Sequence, residues 1–278
     1  MRSTFSCGSP WTSLAMSRLV TVAILAGCSA AADADVPAGG VITLAGSTSM
    51  QPFAEQWAEE YHGGRIIVQA GGSTAGIKAA EDGTADVGMS SRSLQPAEIT
   101  GLTQTVVARD GIAVIVHAAN PVRALSLVQL RRIYAGEIRN WRDVGGADAT
   151  ITVITREDGS GTRDAFQQFV MGEAHEIATS ALVTAYSGGL RKMVSQDPGA
   201  IGYVTFSQLN TQIHAVSIDG VMPSEPAIAS GAYRLQRPFL FLTRGVPTGA
   251  AKAFITFVLS DAGQRLARTQ GLAPVSLE

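Results

Sequence analysis

Three segments of the chain share one design: a short, β-branched apolar run, then a Gly/Ser/Thr cluster, then a helical pattern. Val41 to Ala45 leads into Gly46-Ser47-Thr48-Ser49, Arg65 to Ala70 into Gly72-Ser73-Thr74, and Ile151 to Thr155 into Asp158-Gly159-Ser160-Gly161-Thr162. Runs of this length and composition suit buried strands. Beyond the first cluster, Phe53, Trp57 and Tyr61 recur at i, i+4 and i+8; beyond the third, Phe166, Phe169 and Val170 share one helix face. A helix that starts straight out of such a loop has unpaired N–H groups and a positive dipole end. Glycine lets a ligand approach that backbone, and Ser and Thr add hydroxyls. Several such starts brought together suit one small oxyanion. Taken singly, the same Ser and Thr residues are also good ordinary N-caps.

Strands and helices alternate along the rest of the chain. Strand 41–46, helix 50–61, strand 65–70, helix 74–82 and strand 85–90 predict a parallel α/β sheet. The Ile/Val run from Gly111 to Ala118 reads as a strand that leaves one lobe for another. Helix 126–135, strand 151–155, helix 162–171 and strand 200–205 follow, and Pro238 to Thr243 reads as the return crossing. Gly249 to Arg268 has the spacing of one amphipathic helix. The expected fold is α/β, two lobes joined by two crossing strands with a ligand cleft between them. Lobe 1 takes 41–112 and 242–278, and lobe 2 takes 113–241.

The first residues point to export. Arg18 precedes the apolar stretch Leu19 to Ala26, which is too short for a permanent membrane span. The stretch ends in Leu25-Ala26-Gly27-Cys28, which resembles the bacterial lipobox. Residues 1–27 are therefore expected to be a lipoprotein signal peptide, with Met1 or Met16 as its start and Cys28 as the lipid-bearing residue. Residues 28–40, rich in Ala, Asp, Gly and Pro, read as a tether. The expected location is the outer face of a bacterial cell membrane.

Composition excludes several function classes. About 240 residues remain for a packed body, enough for one or two domains. Cys7 and Cys28 are the two cysteines, so the body has neither a disulfide nor a cysteine metal site. His62, His117, His175 and His214 lack ligand spacing, and neither metal nor cofactor is expected. The formal charge of −2 becomes −4 once a leader carrying Arg2 and Arg18 is removed, which argues against a nucleic-acid partner. Gly71 to Lys78 approaches a P-loop but has Ile77 where lysine is required. The chain has neither a Gly-x-Ser-x-Gly elbow nor a histidine in a motif that would activate Ser47, Ser73 or Ser160, and it is not expected to be an enzyme.

Six blocks in order carry a family resemblance. They are Gly46 to Pro52, Gly72 to Ile77, Ala85-Asp86-Val87-Gly88-Met89-Ser90-Ser91-Arg92, Ile133 to Trp141, Arg156-Glu157-Asp158-Gly159-Ser160-Gly161-Thr162-Arg163, and Asp197 to Val204. Together they resemble the phosphate-binding proteins of bacterial ABC-type phosphate importers, within the type II periplasmic-binding-protein fold. The resemblance implies capture of inorganic phosphate by a monomeric lipoprotein and delivery to the permease subunits of an importer. The family's ligand residues fall on Ser47, Thr48 and Ser49, on Ser73, on Arg156 with Asp158 as its carboxylate partner, and on Ser160, Gly161 and Thr162. A carboxylate that accepts the proton of monohydrogen phosphate in some members falls on Ser91, which is neutral. Either Ser91 or Asp158 is then expected to accept that proton, and neighbouring Arg92 either adds positive charge or points to solvent. Two further readings stay open: the same fold holding sulfate, molybdate or tungstate, and a phosphate sensor without transport.

Overall fold

The computed structural model describes residues 40–275. The expected leader, Cys28 and all of the tether except Gly40 lie outside them. The described chain runs β1 (Val41–Gly46), α1 (Gln51–Glu60), β2 (Arg65–Ala70), α2 (Ser73–Asp82), β3 (Val87–Ser90), β4 (Leu102–His117), β5 (Ala124–Leu125) and α3 (Leu127–Tyr134). It continues through β6 (Thr152–Arg156), α4 (Gly161–Phe166), β7 (Leu182–Thr184), α5 (Ser187–Gln196), β8 (Ala200–Thr205), β9 (Ile213–Ala215), β10 (Ser217–Ile218), α6 (Glu225–Ala229), β11 (Gln236–Arg244), α7 (Gly249–Leu259) and α8 (Asp261–Thr269). Among the described residues no helix is long and apolar enough to cross a membrane.

The main sheet has the order β2-β1-β3-β11-β4-β8-β6-β7, with β9 also on β4. Its outer strands are parallel, as the alternation predicts: β1 with β2 and β3, β6 with β7 and β8. Its two middle strands are antiparallel, because one carries the chain out of the first lobe and the other brings it back. β4 is a single strand that serves both lobes. Leu102–Gly111 pairs with β11, and Ile112–Val116 pairs with β8. The outward crossing therefore falls near Gly111, where the Ile/Val run begins. The return crossing falls at Gln236–Arg237, opposite Gly111 and Asp110, rather than after residue 241. Phe239 and Phe241 are already lobe 1 residues: Phe239 lies 5.7 Å from Phe53, and Phe241 meets the Trp57 edge at 5.9 Å.

Each lobe has its own apolar core. In lobe 1, Phe53 and Trp57 of α1 pack with Phe239, Phe241 and Phe254, and the Trp57 indole N–H donates to the Gly263 carbonyl at 2.9 Å. The bond gives a buried aromatic its polar partner. In lobe 2, Tyr134, Phe166 and Tyr203 form a cluster in which Phe166 stacks on Tyr203 at 4.2 Å. Two family blocks without ligand residues meet here, since the Trp141 indole N–H donates to Gly199 O at 2.8 Å.

Two helix expectations need correction. The segment 162–171 is α-helical only through Phe166, and Gln167–Met171 forms a π turn. The C-terminal amphipathic stretch is two helices, broken at Ser260, whose extended backbone and side-chain cap to Gly263 N start α8 anew.

Glycines set how closely α2 lies on the sheet. A Cβ on Gly76 would stand 2.7 Å from Gly46 Cα and 2.6 Å from Met89 O, both backbone atoms of strands beneath the helix. Only a hydrogen fits between them, so the start of α2 is held against the ends of β1 and β3. Gly76→Ala should therefore destabilise the protein by about 1–3 kcal/mol through overpacking. Urea unfolding should show a lower midpoint with an unchanged slope; a wild-type midpoint would contradict this packing.

Candidate anion-binding site

The helices α1, α2, α4 and α5 begin at the cleft, and a serine lies at or just before each start: Ser49, Ser73, Ser160 and Ser187. Ordinary capping accounts for only one of these. Ser160 caps α4 through Arg163 N at 3.4 Å. The N-caps of α1, α2 and α5 are Met50, Gly72 and Tyr186, none with a side-chain cap bond. Ser49, Ser73 and Ser187 instead direct their hydroxyls into the cleft.

There the hydroxyls meet across the lobes. Ser49 Oγ, from lobe 1, lies 2.7 Å from Thr162 Oγ1 and 3.1 Å from Ser187 Oγ, both from lobe 2. Within lobe 1, Ser47 Oγ donates to Ser91 Oγ at 2.9 Å, and Ser73 Oγ lies 3.2 Å from Ser91 Oγ. Backbone also crosses, with Thr74 N donating to Gly159 O at 3.2 Å. Gly161 sits at the tightest point. A Cβ there would collide with Ser73 Oγ and lie 2.8 Å from Ser91 Oγ, so the first turn of α4 can approach the opposite lobe only with glycine. Ser47, Ser49, Ser73, Ser91, Ser160 and Thr162 are all buried.

Two buried arginines control the polarity of this cluster. Arg156, at the end of β6, is 1% exposed. Its Nη1 donates to Ser187 Oγ at 2.7 Å and its Nη2 to Thr48 Oγ1 at 3.0 Å. Arg237, at the start of β11, donates from Nη1 to Thr162 Oγ1 at 2.8 Å and to Ser91 O at 3.0 Å. A guanidinium has donors only. Thr48, Thr162 and Ser187 must therefore accept from arginine, which leaves each one's single hydrogen free to be given to something else. Ser73 accepts from Ser91 N at 3.0 Å, with the same consequence. The cluster is an array of donors, which is what a dehydrated oxyanion needs.

The carboxylates lie behind the arginines rather than among the hydroxyls. Glu157 takes Arg156 Nε at 2.8 Å and Nη2 at 2.7 Å, a bidentate pair. Asp110 takes Arg237 Nε at 3.0 Å and Nη2 at 2.9 Å. Burial pushes the Asp110 carboxyl up to about 6 against the opposing pull of Arg237. Tyr203, pushed up to about 12 by its own burial, bonds Thr155 Oγ1 at 2.7 Å and accepts from Arg156 N at 3.3 Å, which fixes the end of β6.

Most of the expected site residues converge here: Ser47, Thr48, Ser49, Ser73, Ser91, Arg156, Ser160, Gly161 and Thr162. Asp158 does not. Its side chain is 96% exposed and bonded to Arg163, because the tight turn at Gly159 faces it outward. Glu157, one residue earlier, is the partner of Arg156, and Asp158 has no contact through which to accept a ligand proton. Ser91 already accepts from Ser47. Arg92 neither charges the cluster nor points to solvent. It is buried against Glu98 at 2.7 Å and, across the cleft, Asp164 at 2.8 Å, and its hydrogen bond holds the Glu98 carboxyl below its usual range.

Ser187, Arg237 and Asp110 join the cluster in addition to the residues expected from the sequence. Ser187-Gly188-Gly189 followed by Leu190 and Val194 carries the same Gly/Ser-then-helix signature and was the available signal. Arg237 and Asp110 lie inside strands, where nothing local marks them.

Comparison with known proteins agrees with this geometry. A PBP superfamily domain matches residues 31–262. The phosphate-binding protein PstS of Bacillus subtilis is 34% identical over 248 residues, covering 86% of this chain and 82% of that protein. A Clostridium perfringens protein assigned to phosphate ABC transport, solved with bound phosphate, superimposes with a TM-score of 0.82 at 40% identity, covering 85% of this chain and 100% of that one. An ABC-type phosphate transport receptor from Vibrio cholerae gives 0.73 at 34% identity over 84% of this chain and 100% of that one. The chain, with its two lobes closing a hydroxyl-lined cleft, belongs to the PBP superfamily and, within it, to the PstS family of phosphate-binding proteins.

Proposed function

We propose that this protein captures one inorganic phosphate ion between its lobes and delivers it to the permease subunits of an ABC importer. The observation that carries this reading is the set of hydroxyls from both lobes whose acceptor sides are filled by Arg156 and Arg237. The relatives named for phosphate, and the similar C. perfringens structure with phosphate bound, support the choice of ion. The ligands we assign are Ser47, Thr48, Ser49, Ser73, Ser91, Arg156, Ser160, Gly161 and Thr162, with Ser187 added and Asp158 removed. Backbone N–H groups at the starts of α1, α2, α4 and α5 complete the shell. Closure excludes water, which strengthens each of these bonds. The reading is of binding rather than catalysis, because each site hydroxyl is bonded to another hydroxyl, a backbone group or an arginine, and none to a histidine or carboxylate base among the described residues.

Calorimetry on the ligand-stripped protein tests this directly. Phosphate should bind with one ion per chain, and no heat from phosphate, arsenate or sulfate would refute it. Arg156→Ala should cost on the order of 2–5 kcal/mol of binding while unfolding remains cooperative. Ser187→Ala should cost about 1.5–3 kcal/mol, the value of a hydrogen bond to a charged group. Asp158→Asn, at an exposed side chain, should leave Kd within about threefold of wild type. A large loss from Asp158→Asn with little from Ser187→Ala would reverse the assignment.

For location, we read the chain as a lipoprotein carried on Cys28 at the outer face of the membrane, monomeric, with residues 1–27 removed. The support is the order of Arg18, the apolar run and Leu25-Ala26-Gly27-Cys28. Stable anchoring takes two or more acyl chains. Wild-type protein from a bacterial host should partition into detergent and Cys28→Ser into the aqueous phase. Aqueous partitioning of wild type would rule out the anchor.

A further inference from the structure

Asp110 and Arg237 form an ion pair at the point where both crossing strands change lobes. They are register partners on β4 and β11, 0% and 1% exposed in their side chains. A buried pair of this kind is weak evidence for stability, since desolvation offsets its attraction. Its position suggests another role. Arg237 touches both lobes, through Ser91 O at 3.0 Å and Thr162 Oγ1 at 2.8 Å, and also reaches Thr205 Oγ1 at 3.2 Å. Asp110 Oδ2 takes both bonds from Arg237, while Oδ1 is buried with no hydrogen-bond partner. The Phe206 and Gly111 backbone N–H groups pull toward the ionised carboxylate without closing a hydrogen bond on Oδ1, and burial outweighs them, so the carboxyl is poorly solvated as an anion and takes up a proton more readily than an exposed one.

Resting on the anion-binding reading, we propose that the Asp110–Arg237 pair is a specificity-determining element whose net charge changes with the proton on Asp110. With Asp110 ionised the pair is neutral; with Asp110 protonated it presents one unopposed positive charge beneath Thr162. Among the described residues no carboxylate touches the site hydroxyls directly; Arg156 shares its charge with the partly exposed Glu157, so the fully buried Asp110–Arg237 pair is where a proton changes the charge the cleft accepts. A ligand that keeps two negative charges is then favoured only when Asp110 takes up a proton, whereas phosphate can bind while holding a proton of its own. The titratable and charged groups that bear on the pair are Arg156 from β6, Tyr203 from β8 and Tyr233 ahead of β11. Burial places the Asp110 transition near 6, and an anion next to the pair moves it higher. Binding of a fixed dianion must therefore take up protons above that pH, and its Kd should weaken by up to tenfold per pH unit.

Sulfate is the probe, because it brings no proton of its own. Titrations of the full chain at pH 5.5, 7.0 and 8.5 should show sulfate binding at pH 5.5 that weakens at least about tenfold by pH 8.5. Proton uptake at pH 8.5, from calorimetry in buffers of different ionisation enthalpy, should approach one per sulfate. Asp110→Asn fixes the pair in its positive state, so its sulfate Kd should be flat with pH and at least about tenfold tighter than wild type at pH 8.5. A folded Asp110→Asn protein that keeps the wild-type slope would overturn the proposal. So would a flat wild-type profile without proton uptake, or no sulfate binding at pH 5.5; these wild-type readings decide the matter even if the variant fails to fold. Phosphate at pH 7.0 is the separate control: failure there, in wild type, would overturn the anion-binding reading itself.

Discussion

A guanidinium donates and never accepts, and two of them lie buried beneath the cleft hydroxyls. The consequence runs through the whole site. Each hydroxyl that accepts from Arg156 or Arg237 has one hydrogen left to give, and these hydroxyls gather at the cleft, where Thr162 and Ser187 both lie within hydrogen-bond distance of Ser49. Serine and threonine alone would rotate freely between donor and acceptor roles and would suit water as well as an anion. With the arginines in place, reorienting them costs a buried unsatisfied donor, about 1–3 kcal/mol each. The site is thus polarised before any ligand arrives, which reduces the ordering cost of binding.

Placing two cations under a cleft requires counter-charges that do not block it. Glu157 and Asp110 serve by taking the Nε–Nη2 edge of each guanidinium, which leaves Nη1 for the hydroxyls. The crossing strands make this possible. β4 and β11 carry Asp110 and Arg237 in register at the hinge, so this pair belongs to neither lobe and bonds to both. Arg156 reaches Thr48 across the cleft, and Arg92 reaches Asp164. The bonds that join the lobes are thus made by the same arginines that polarise the hydroxyls or lie beside them.

The local parts of this arrangement were legible in the sequence, and the reason is their periodicity. β1, α1, β2 and the start of α2 are each fixed by spacing and by a Gly/Ser/Thr boundary, and Ser47, Ser49, Ser73 and Thr162 sit on those boundaries. Glu157 and Asp158 cannot be told apart by sequence, because adjacent acidic residues on a turn differ only in the direction the backbone gives them, and Gly159 at φ +83° turns Asp158 outward and leaves Glu157 beside Arg156. Asp110 and Arg237 are 127 residues apart and lie within apolar strands, so only strand register pairs them. The split of the C-terminal helix rests on Ser260 leaving helical geometry, which the amphipathic spacing on either side conceals.

The most direct test is a crystal structure of the protein with phosphate bound. The expected result is one tetrahedral ion held at once by lobe 1 hydroxyls, Thr48, Ser49 and Ser73, and by lobe 2 groups, Arg156, Ser187 and the Ser160–Thr162 turn, with Arg237 still bonded to Thr162 and Asp158 facing solvent. An ion seated on one lobe alone, or away from the hydroxyl cluster, would contradict the claim that the two buried arginines polarise an interlobe oxyanion site.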